Sequence, residues 1–168
     1  TGTLTLGQPR ITDVIALNGI PEERMLSLAA SAERYSEHPL AEAVRQAARI
    51  RGIALEEPQD FTAVPGQGVR TKIQGSVIGV GSRRILSNSA FPQAASDLEA
   101  QGKTVLFVVQ DDHLVGIMAA ADTLRSEIPA ALADLRASGI KKIEILTGDN
   151  ERVASSLAAE LGVDYRAN

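Results

Sequence analysis

The sequence predicts a mixed α/β and α+β protein, in which an α+β domain is inserted into, or lies against, part of a parallel α/β domain. Short β-branched segments separated by Gly or Pro occupy residues 61–82, which is typical of antiparallel strands. Near the carboxyl end, an apolar segment at 143–146 is followed by a loop and a helical pattern at 151–161. That order is typical of a parallel α/β sheet.

Two helices are predicted before the antiparallel strands. Apolar residues recur at helical spacing at 21–34 and again at 39–51. The segments FTAV, GVRTKI and SVIGVGS then supply the strands. A short helix at 82–87 and a second near 92–101 are predicted to follow them.

The second half begins with a predicted hairpin. Strands at 104–109 and 114–120 are joined at residues 111–112, a hairpin-like turn. A helix follows at about 126–138, with Ser126 as its N-cap. The strand–loop–helix pattern described above then completes the chain.

Composition excludes several classes of protein. The chain has 168 residues, of which 44% are hydrophobic and 23% charged, so it can bury a core and is not disordered. A net charge of −4 argues against broad nucleic-acid binding. There is no Cys and there are only two His, His38 and His113, which argues against thiolate chemistry and multi-His metal centres. No apolar run approaches the roughly 20 residues of a membrane span.

Gly102-Lys103-Thr104 invites a comparison with the phosphate-binding P-loop. The Walker pattern requires Gly where this chain has Asp97, and the segment leaves a helix and enters a strand. A turn followed by a strand start is the better interpretation.

Thr147-Gly148-Asp149-Asn150 lies where a strand ends and a helix begins. Ligands of open α/β sheets bind at this end of the strands, and a helix N-terminus offers free N–H groups to phosphate. A turn with Asp149 or Asn150 as the helix cap explains the same residues.

The segment 36–40, Ser-Glu-His-Pro-Leu, joins the two early helices. A helix–helix turn with Pro39 at the first helical position accounts for it. The alternative is that His38, with Glu33 and Glu37 nearby, stacks on and hydrogen-bonds to a purine.

Pro65-Gly66-Gln67-Gly68 precedes a strand that carries Arg70 and Lys72. The glycines either make a tight turn or let a ligand lie against bare backbone. The two basic residues are either a solvated face or a source of positive potential for a polyphosphate.

Taken together and in order, these motifs resemble the heavy-metal-transporting branch of the P-type ATPases, the P1B type. TGTLT at 1–5 resembles the end of the DKTGTLT motif, and SEHPL at 36–40, GQG at 66–68 and TGDN at 147–150 match this branch. The resemblance covers essentially the whole chain.

The resemblance implies a partial haloacid-dehalogenase-like, Rossmann-type phosphorylation domain at 1–12 and 103–168. An α+β nucleotide-binding domain, built on an antiparallel sheet flanked by helices, would occupy 13–102. Hinges would lie near 10–14 and 102–104, since closure of the domains must deliver phosphate to the catalytic Asp.

The resemblance also assigns residues to the nucleotide site. His38 matches the adenine-recognising His, and Glu33 matches the Glu that contacts the adenine ring. Gly66 and Gly68 match the glycine pair against which the nucleotide lies. Where the family often has Gly-Asn, this chain has Gly81-Ser82, so that contact would be weaker or differently made. The residues that match catalytic segments of the phosphorylation domain are Thr1, Thr3, Thr147, Gly148 and Asp149, with Asp122 and Arg125 in a further family element.

The same resemblance implies that the chain is part of a longer protein. The phosphorylated Asp would lie just before Thr1, and a GDGxND segment with Mg²⁺ ligands would lie beyond Asn168. The full-length protein would hydrolyse ATP through an aspartyl-phosphate, with Mg²⁺ as cofactor. The chain itself is expected to bind ATP or ADP without turnover and to contain no metal site of its own.

The expected partners are the membrane and actuator domains of the same polypeptide, and the chain would be a monomeric cytoplasmic domain of a cell-membrane protein. The sequence of residues 139–150 favours zinc, cadmium or cobalt rather than copper as the transported metal.

Two other hypotheses about function remain. One is a non-catalytic nucleotide-sensing or protein-docking domain. The other is a soluble haloacid-dehalogenase-type phosphatase, which would need a nucleophilic Asp in a DxD or DxT segment at a strand end.

Overall fold

The computed structural model describes residues 3–86, 91–147 and 151–167. Six of its strands form one antiparallel sheet: β1 (Thr5–Ala16), β2 (Gln59–Val64), β3 (Gly68–Ile73), β4 (Ser76–Gly81), β5 (Thr104–Gln110) and β6 (His113–Leu124). Their order in space is β1-β6-β5-β4-β3-β2. The mixed fold class predicted from the sequence is confirmed.

Helices cover both faces of this sheet. Helices α1 (Glu22–Ala32) and α2 (Pro39–Ile50) pack on one face, and α3 (Gln93–Ala100) packs on the other beside a 3-10 turn at Arg83–Ile85. In β5, Leu106 and Val108 join the core under α1 and α2, while Phe107 joins the core under α3. Because β5 is buried on both faces, its residues 105–109 are apolar without interruption.

A second unit lies beyond the sheet. It contains α4 (Ile128–Ala137), β7 (Glu144–Thr147), α5 (Glu151–Leu161) and β8 (Asp164–Ala167), and β7 pairs in parallel with β8. Its core is formed by Leu132, Ile145, Ala158 and Leu161, with Leu4 and Leu124 packed against them. Among the described residues, no helix has the length and apolar character needed to cross a membrane.

The predicted helices and strands are present, with two corrections. Ser126 is not the N-cap of α4: Glu127 occupies that position without a side-chain capping hydrogen bond. The predicted helix at 82–87 is a single 3-10 turn over residues 83–85 in its described part.

Sequence reasoning missed β1 altogether. Gly7 and Pro9 interrupt its alternation of apolar and polar residues, and Pro lacks the N–H that a central strand must donate. The strand tolerates Pro9 because β1 lies at the edge of the sheet and its register with β6 shifts between Thr5 and Pro9.

The two expected sequence ranges do not correspond to two separate sheets. β5 and β6, which lie in the expected phosphorylation range 103–168, continue the sheet that β2, β3 and β4 begin. Phe107 of β5 pairs with Gly81 of β4, so backbone hydrogen bonds cross the expected boundary. The expected hinge at 10–14 falls inside β1, where Arg10, Ile11, Asp13 and Val14 pair with β6 and the register shifts between Ile11 and Asp13. The sheet unit therefore spans residues 5–124.

Candidate functional site

A groove of about 410 Å³ opens between the α1–α2 corner and the adjoining ends of the sheet strands. All of the residues predicted for a nucleotide site line it: Glu33, His38, Gly66, Gly68, Gly81 and Ser82. They come from separate stretches of the sequence and meet only through the fold. Sequence reasoning did not place Thr104, Val105 and Leu106 there. Their position depends on the pairing of β5 with β4, and the only local signal was the Gly-Lys-Thr segment.

His38 lies at the N-terminus of α2, where its side chain caps the helix. Its Nδ1 accepts a hydrogen bond from the Leu40 N–H at 3.2 Å. Because Nδ1 acts as an acceptor, the neutral ring carries its proton on Nε2. The cap thus fixes the tautomer of an exposed imidazole at the mouth of the groove. The helix-turn and ligand interpretations of this segment are compatible.

Glu33 is the buried acid of the groove. The residue is only 5% exposed, and among the described residues its Oε2 has no hydrogen-bond partner. Burial raises the pKa of this carboxyl to about 7, although a hydrogen bond with Ser36 and the charge of Arg45 oppose the rise. An unpaired buried oxygen is unfavourable, so a ligand donor at this position would be stabilised.

Gly68 and Gly81 face each other across β3 and β4, and neither can carry a side chain. A Cβ on Gly68 would lie 2.1 Å from the carbonyl oxygen of Val80. A Cβ on Gly81 would lie 1.9 Å from the carbonyl oxygen of Gln67. This close approach leaves bare backbone on the wall of the groove.

Ser82 fixes the loop that forms the rim of this wall. Its N–H donates to the Gln67 carbonyl at 2.7 Å, and its Oγ donates to the Gly66 carbonyl at 3.0 Å. Gly66 itself has a φ of +73°, a left-handed conformation that favours glycine. The hydroxyl at position 82 therefore has a structural role in shaping the groove.

Of the residues predicted to be catalytic, the two that the structure describes, Thr3 and Thr147, do not line the groove. Thr1, Gly148 and Asp149 are outside the described residues, while Thr3 is exposed and Thr147 ends β7. The Asp149 carboxylate is the Mg²⁺-related group that the resemblance assigns, so the described part of the chain gives no basis for a step through Mg²⁺.

Asp122 and Arg125 hold the first strand in place. The Asp122 carboxylate accepts a hydrogen bond from the Gln8 N–H at 3.0 Å. The Arg125 N–H donates to the Leu4 carbonyl at 2.9 Å. These contacts connect the start of the chain to the end of β6, beside the core of the second unit.

The chain belongs to the haloacid dehalogenase-like hydrolases, whose sequence model matches residues 1–167. Within that class, its homologues are heavy-metal-transporting P-type ATPases. It is 43% identical to a copper-transporting P-type ATPase of Rhizobium leguminosarum bv. viciae, over 98% of this chain and 20% of the relative. It is 38% identical to a zinc/cadmium/lead-transporting P-type ATPase of Shigella sonnei, over 99% of this chain and 23% of the relative. The chain thus spans about a fifth of the length of the curated relatives it matches.

Solved structures of metal-transporting and CPx-type ATPases are also similar to this chain. A zinc-transporting PIB-type ATPase in the E2.Pi state superposes with a TM-score of 0.88 at 38% identity, over 99% of this chain and 28% of that one. The catalytic domain of the CPx-ATPase CopB-B, described for its conformational changes upon nucleotide binding, gives 0.76 at 30% identity, over 100% of this chain and 58% of that one.

A third solved structure bears on the extent of the sheet unit. The N-domain of a copper-transporting P-type ATPase gives a TM-score of 0.58 at 26% identity. The match covers 67% of this chain and 99% of that N-domain. The range 13–102, expected for the nucleotide-binding domain, occupies a smaller share of this chain than the match does.

Proposed function

We propose that the groove binds the adenine nucleotide of a heavy-metal-exporting P-type ATPase. The observation that carries the proposal is the convergence of Glu33, His38 and the glycine wall on one groove that contains an unpaired, buried carboxylate oxygen. Copper and zinc transporters are both among the relatives, so the proposal leaves the transported metal open.

The residues divide the recognition of the nucleotide between them. The imidazole of His38 offers an aromatic face for stacking and an Nε2–H donor. Glu33 offers an acceptor for the exocyclic amino group of adenine, which guanine lacks at that ring position. The bare backbone at Gly66, Gly68 and Gly81 lets the nucleotide approach the wall. When bound, the nucleotide supplies the phosphoryl group for the catalytic Asp that the family resemblance implies.

The rest of the proposal concerns the whole protein. ATP and Mg²⁺ would serve as its cofactors, and membrane and actuator domains in the same polypeptide would be its partners. The chain would then form part of a membrane protein, since the relatives it matches are metal-transporting P-type ATPases.

Calorimetric titration of the chain with ATP, ADP and GTP tests the nucleotide site. Loss of a hydrogen bond to the base corresponds to about a tenfold loss of affinity, so we expect GTP to bind about tenfold more weakly than ATP. We expect His38→Ala to weaken ATP binding by a similar factor. His113→Ala is the matched control, because His113 is exposed at the start of β6, outside the groove.

Equal affinities for ATP and GTP, together with an ATP affinity unchanged in His38→Ala, would overturn the proposal. No binding of any nucleotide would also overturn it and would favour a protein-docking domain with the same fold.

A further inference from the structure

We propose that Arg84 binds the polyphosphate of the nucleotide and so positions it in the groove. This inference rests on the proposed nucleotide site but concerns a different part of the ligand. Arg84 belongs to the 3-10 turn at Arg83–Ile85 and was not singled out by any sequence motif.

The position of its guanidinium is the first argument. A Cβ placed on Gly66 would lie 3.1 Å from Nη1 of Arg84, so the guanidinium rests against the rim loop of the groove. The Ser82 hydroxyl, which accepts from the Arg84 N–H and donates to the Gly66 carbonyl, connects the same two segments. Arg84 is therefore held beside the wall against which the nucleotide is proposed to lie.

The neighbouring cations supply the second argument, because carboxylates or a ring already engage them. Arg70 pairs with Asp112 at 3.0 Å and Lys72 pairs with Asp60 at 2.8 Å. The guanidinium of Arg83 lies 4.1 Å from the centre of the Phe91 ring.

Lys103, immediately before β5, is engaged in the same way, since it pairs with Asp13 at 2.7 Å. Arg84, in contrast, is exposed and forms no ion pair within the part of the chain that the structure describes. Among the described residues, Arg84 is thus a cation beside the rim loop of the groove that can bind a new anion without first breaking an ion pair.

The chemistry of the group is the third argument. A guanidinium offers several N–H donors in a planar fork that matches the oxygens of a phosphate. The chain carries a net charge of −4, which by itself repels a polyphosphate, so a local cation beside the groove would favour binding of that end of the ligand. Adenosine, which has no phosphate, should not depend on Arg84.

Titrations of Arg84→Ala with ATP, ADP and adenosine, followed by NMR chemical shifts, test the inference. We expect ATP and ADP to bind about tenfold more weakly, which is typical of losing one charge-assisted hydrogen-bonded contact, and adenosine to bind within twofold of the wild type, roughly at the level of experimental error. The loss should shrink at high salt because the interaction is exposed. Arg84→Lys should retain part of the affinity, since it keeps the charge but not the fork.

Arg49→Ala is the matched control, because it removes the same charge from an exposed position on α2, where the Arg49 side chain hydrogen-bonds only to Gln46 among the described residues. Its ATP affinity should stay close to that of the wild type. Unchanged ATP affinity in Arg84→Ala would overturn the inference, and so would an equal loss for adenosine, which would mean that Arg84 only shapes the loop. Failure of the nucleotide site itself has a different signature: the wild type would not bind adenosine or ATP, or His38→Ala would have no effect.

Discussion

At Glu33, burial of the carboxyl group and its neighbouring polar and charged groups shift the pKa in opposite directions. It closes α1 with its side chain turned into the protein, where water is excluded and one carboxylate oxygen lacks a partner among the described residues. Arg45 is close enough to favour the charged form, yet its hydrogen bonds are made to the backbone carbonyls of Glu33 and Ser36 and its ion pair to Glu42. Burial outweighs this attraction, so the pKa of Glu33 rises to about 7.

This shift predicts a pH-dependent stability. In the folded protein the carboxyl titrates near 7, and in the unfolded chain near 4.5. Between these values the folded state binds more protons at Glu33, so the stability that this group contributes is fully present below 4.5 and is lost as the pH rises through 7. The difference amounts to about 3 kcal/mol. We expect the free energy of unfolding of Glu33→Gln, measured by urea denaturation between pH 4.5 and 7, to lack this part of the dependence on pH.

Glu37→Gln serves as the control for that comparison, because Glu37 is exposed in the same turn and should leave the slope intact. Identical pH profiles for the wild type and Glu33→Gln would contradict the assignment. The same series with ATP present would show whether the nucleotide changes the proton uptake of Glu33.

At the scale of secondary-structure elements, the groove depends on how closely β3 and β4 approach. Gly68 and Gly81 are opposite each other in the register, and a Cβ added to either would lie 2.5 or 2.7 Å from the Cα of the other. The loop before β3 is then tied to the residue after β4 by the hydrogen bonds of Ser82. The glycines are therefore required by packing as well as by the proposed ligand.

Gly81→Ala should be strongly destabilising for this reason. The new methyl would overlap the Gln67 carbonyl oxygen, which is backbone and cannot rotate away, so the strands would have to separate. We expect a loss of about 3 kcal/mol in the free energy of unfolding, the upper part of the usual range for overpacking. Nucleotide affinity should fall with it, because the wall of the groove would be displaced.

Gly19→Ala separates this effect from backbone strain. Gly19 also has a positive φ, of +80°, but no atom lies within 4 Å of its added Cβ. It should cost about 1 kcal/mol, as expected for strain alone. Equal losses for the two variants, measured by chemical denaturation, would refute the packing explanation.

At the scale of the whole molecule, the chain divides into a sheet unit at 5–124 and a smaller unit that follows it. The two touch where the Ser156 hydroxyl donates to the Gln101 carbonyl at 3.0 Å and where Gly102 lies against the Ser156 side chain. Leu4, just before the sheet unit, and Leu124, its last residue, pack against the core of the smaller unit. We infer that the nucleotide-binding domain corresponds to the sheet unit rather than to residues 13–102.

Two excised fragments test this boundary. A fragment of residues 5–124 should unfold cooperatively and bind ATP as the whole chain does, because it keeps the entire sheet and both of its covering layers. A fragment of residues 13–102 lacks β5 and β6 and with them the buried Val108 and Met118, so it should not fold. Circular dichroism and thermal melts distinguish the two. Cooperative folding of the shorter fragment would instead support residues 13–102 as the nucleotide-binding domain.

Much of this architecture was predictable from local chemistry. The α1 and α2 helices followed from apolar spacing, the β3 and β4 strands from β-branched runs between glycines, and the β5–β6 hairpin from a turn between two apolar segments. β1 was not predictable, because Gly7 and Pro9 obscure its pattern and only its place at the sheet edge makes it a strand. The boundary of the sheet unit also escaped prediction, since strand pairing is a long-range property.

The sequence by itself determined the kinds of groups that can act here and the motifs that suggest a nucleotide site. A side chain's type and its neighbours along the chain decide its helix or turn, so the helix–helix turn with Pro39 at the first helical position could be predicted directly. Only the tertiary structure decided that Glu33 is buried and unpaired, that Gly68 opposes Gly81, and that Arg84 lies against Gly66. The physical reason is that burial, close approach and pKa depend on residues that are distant along the chain and meet only when the sheet has formed.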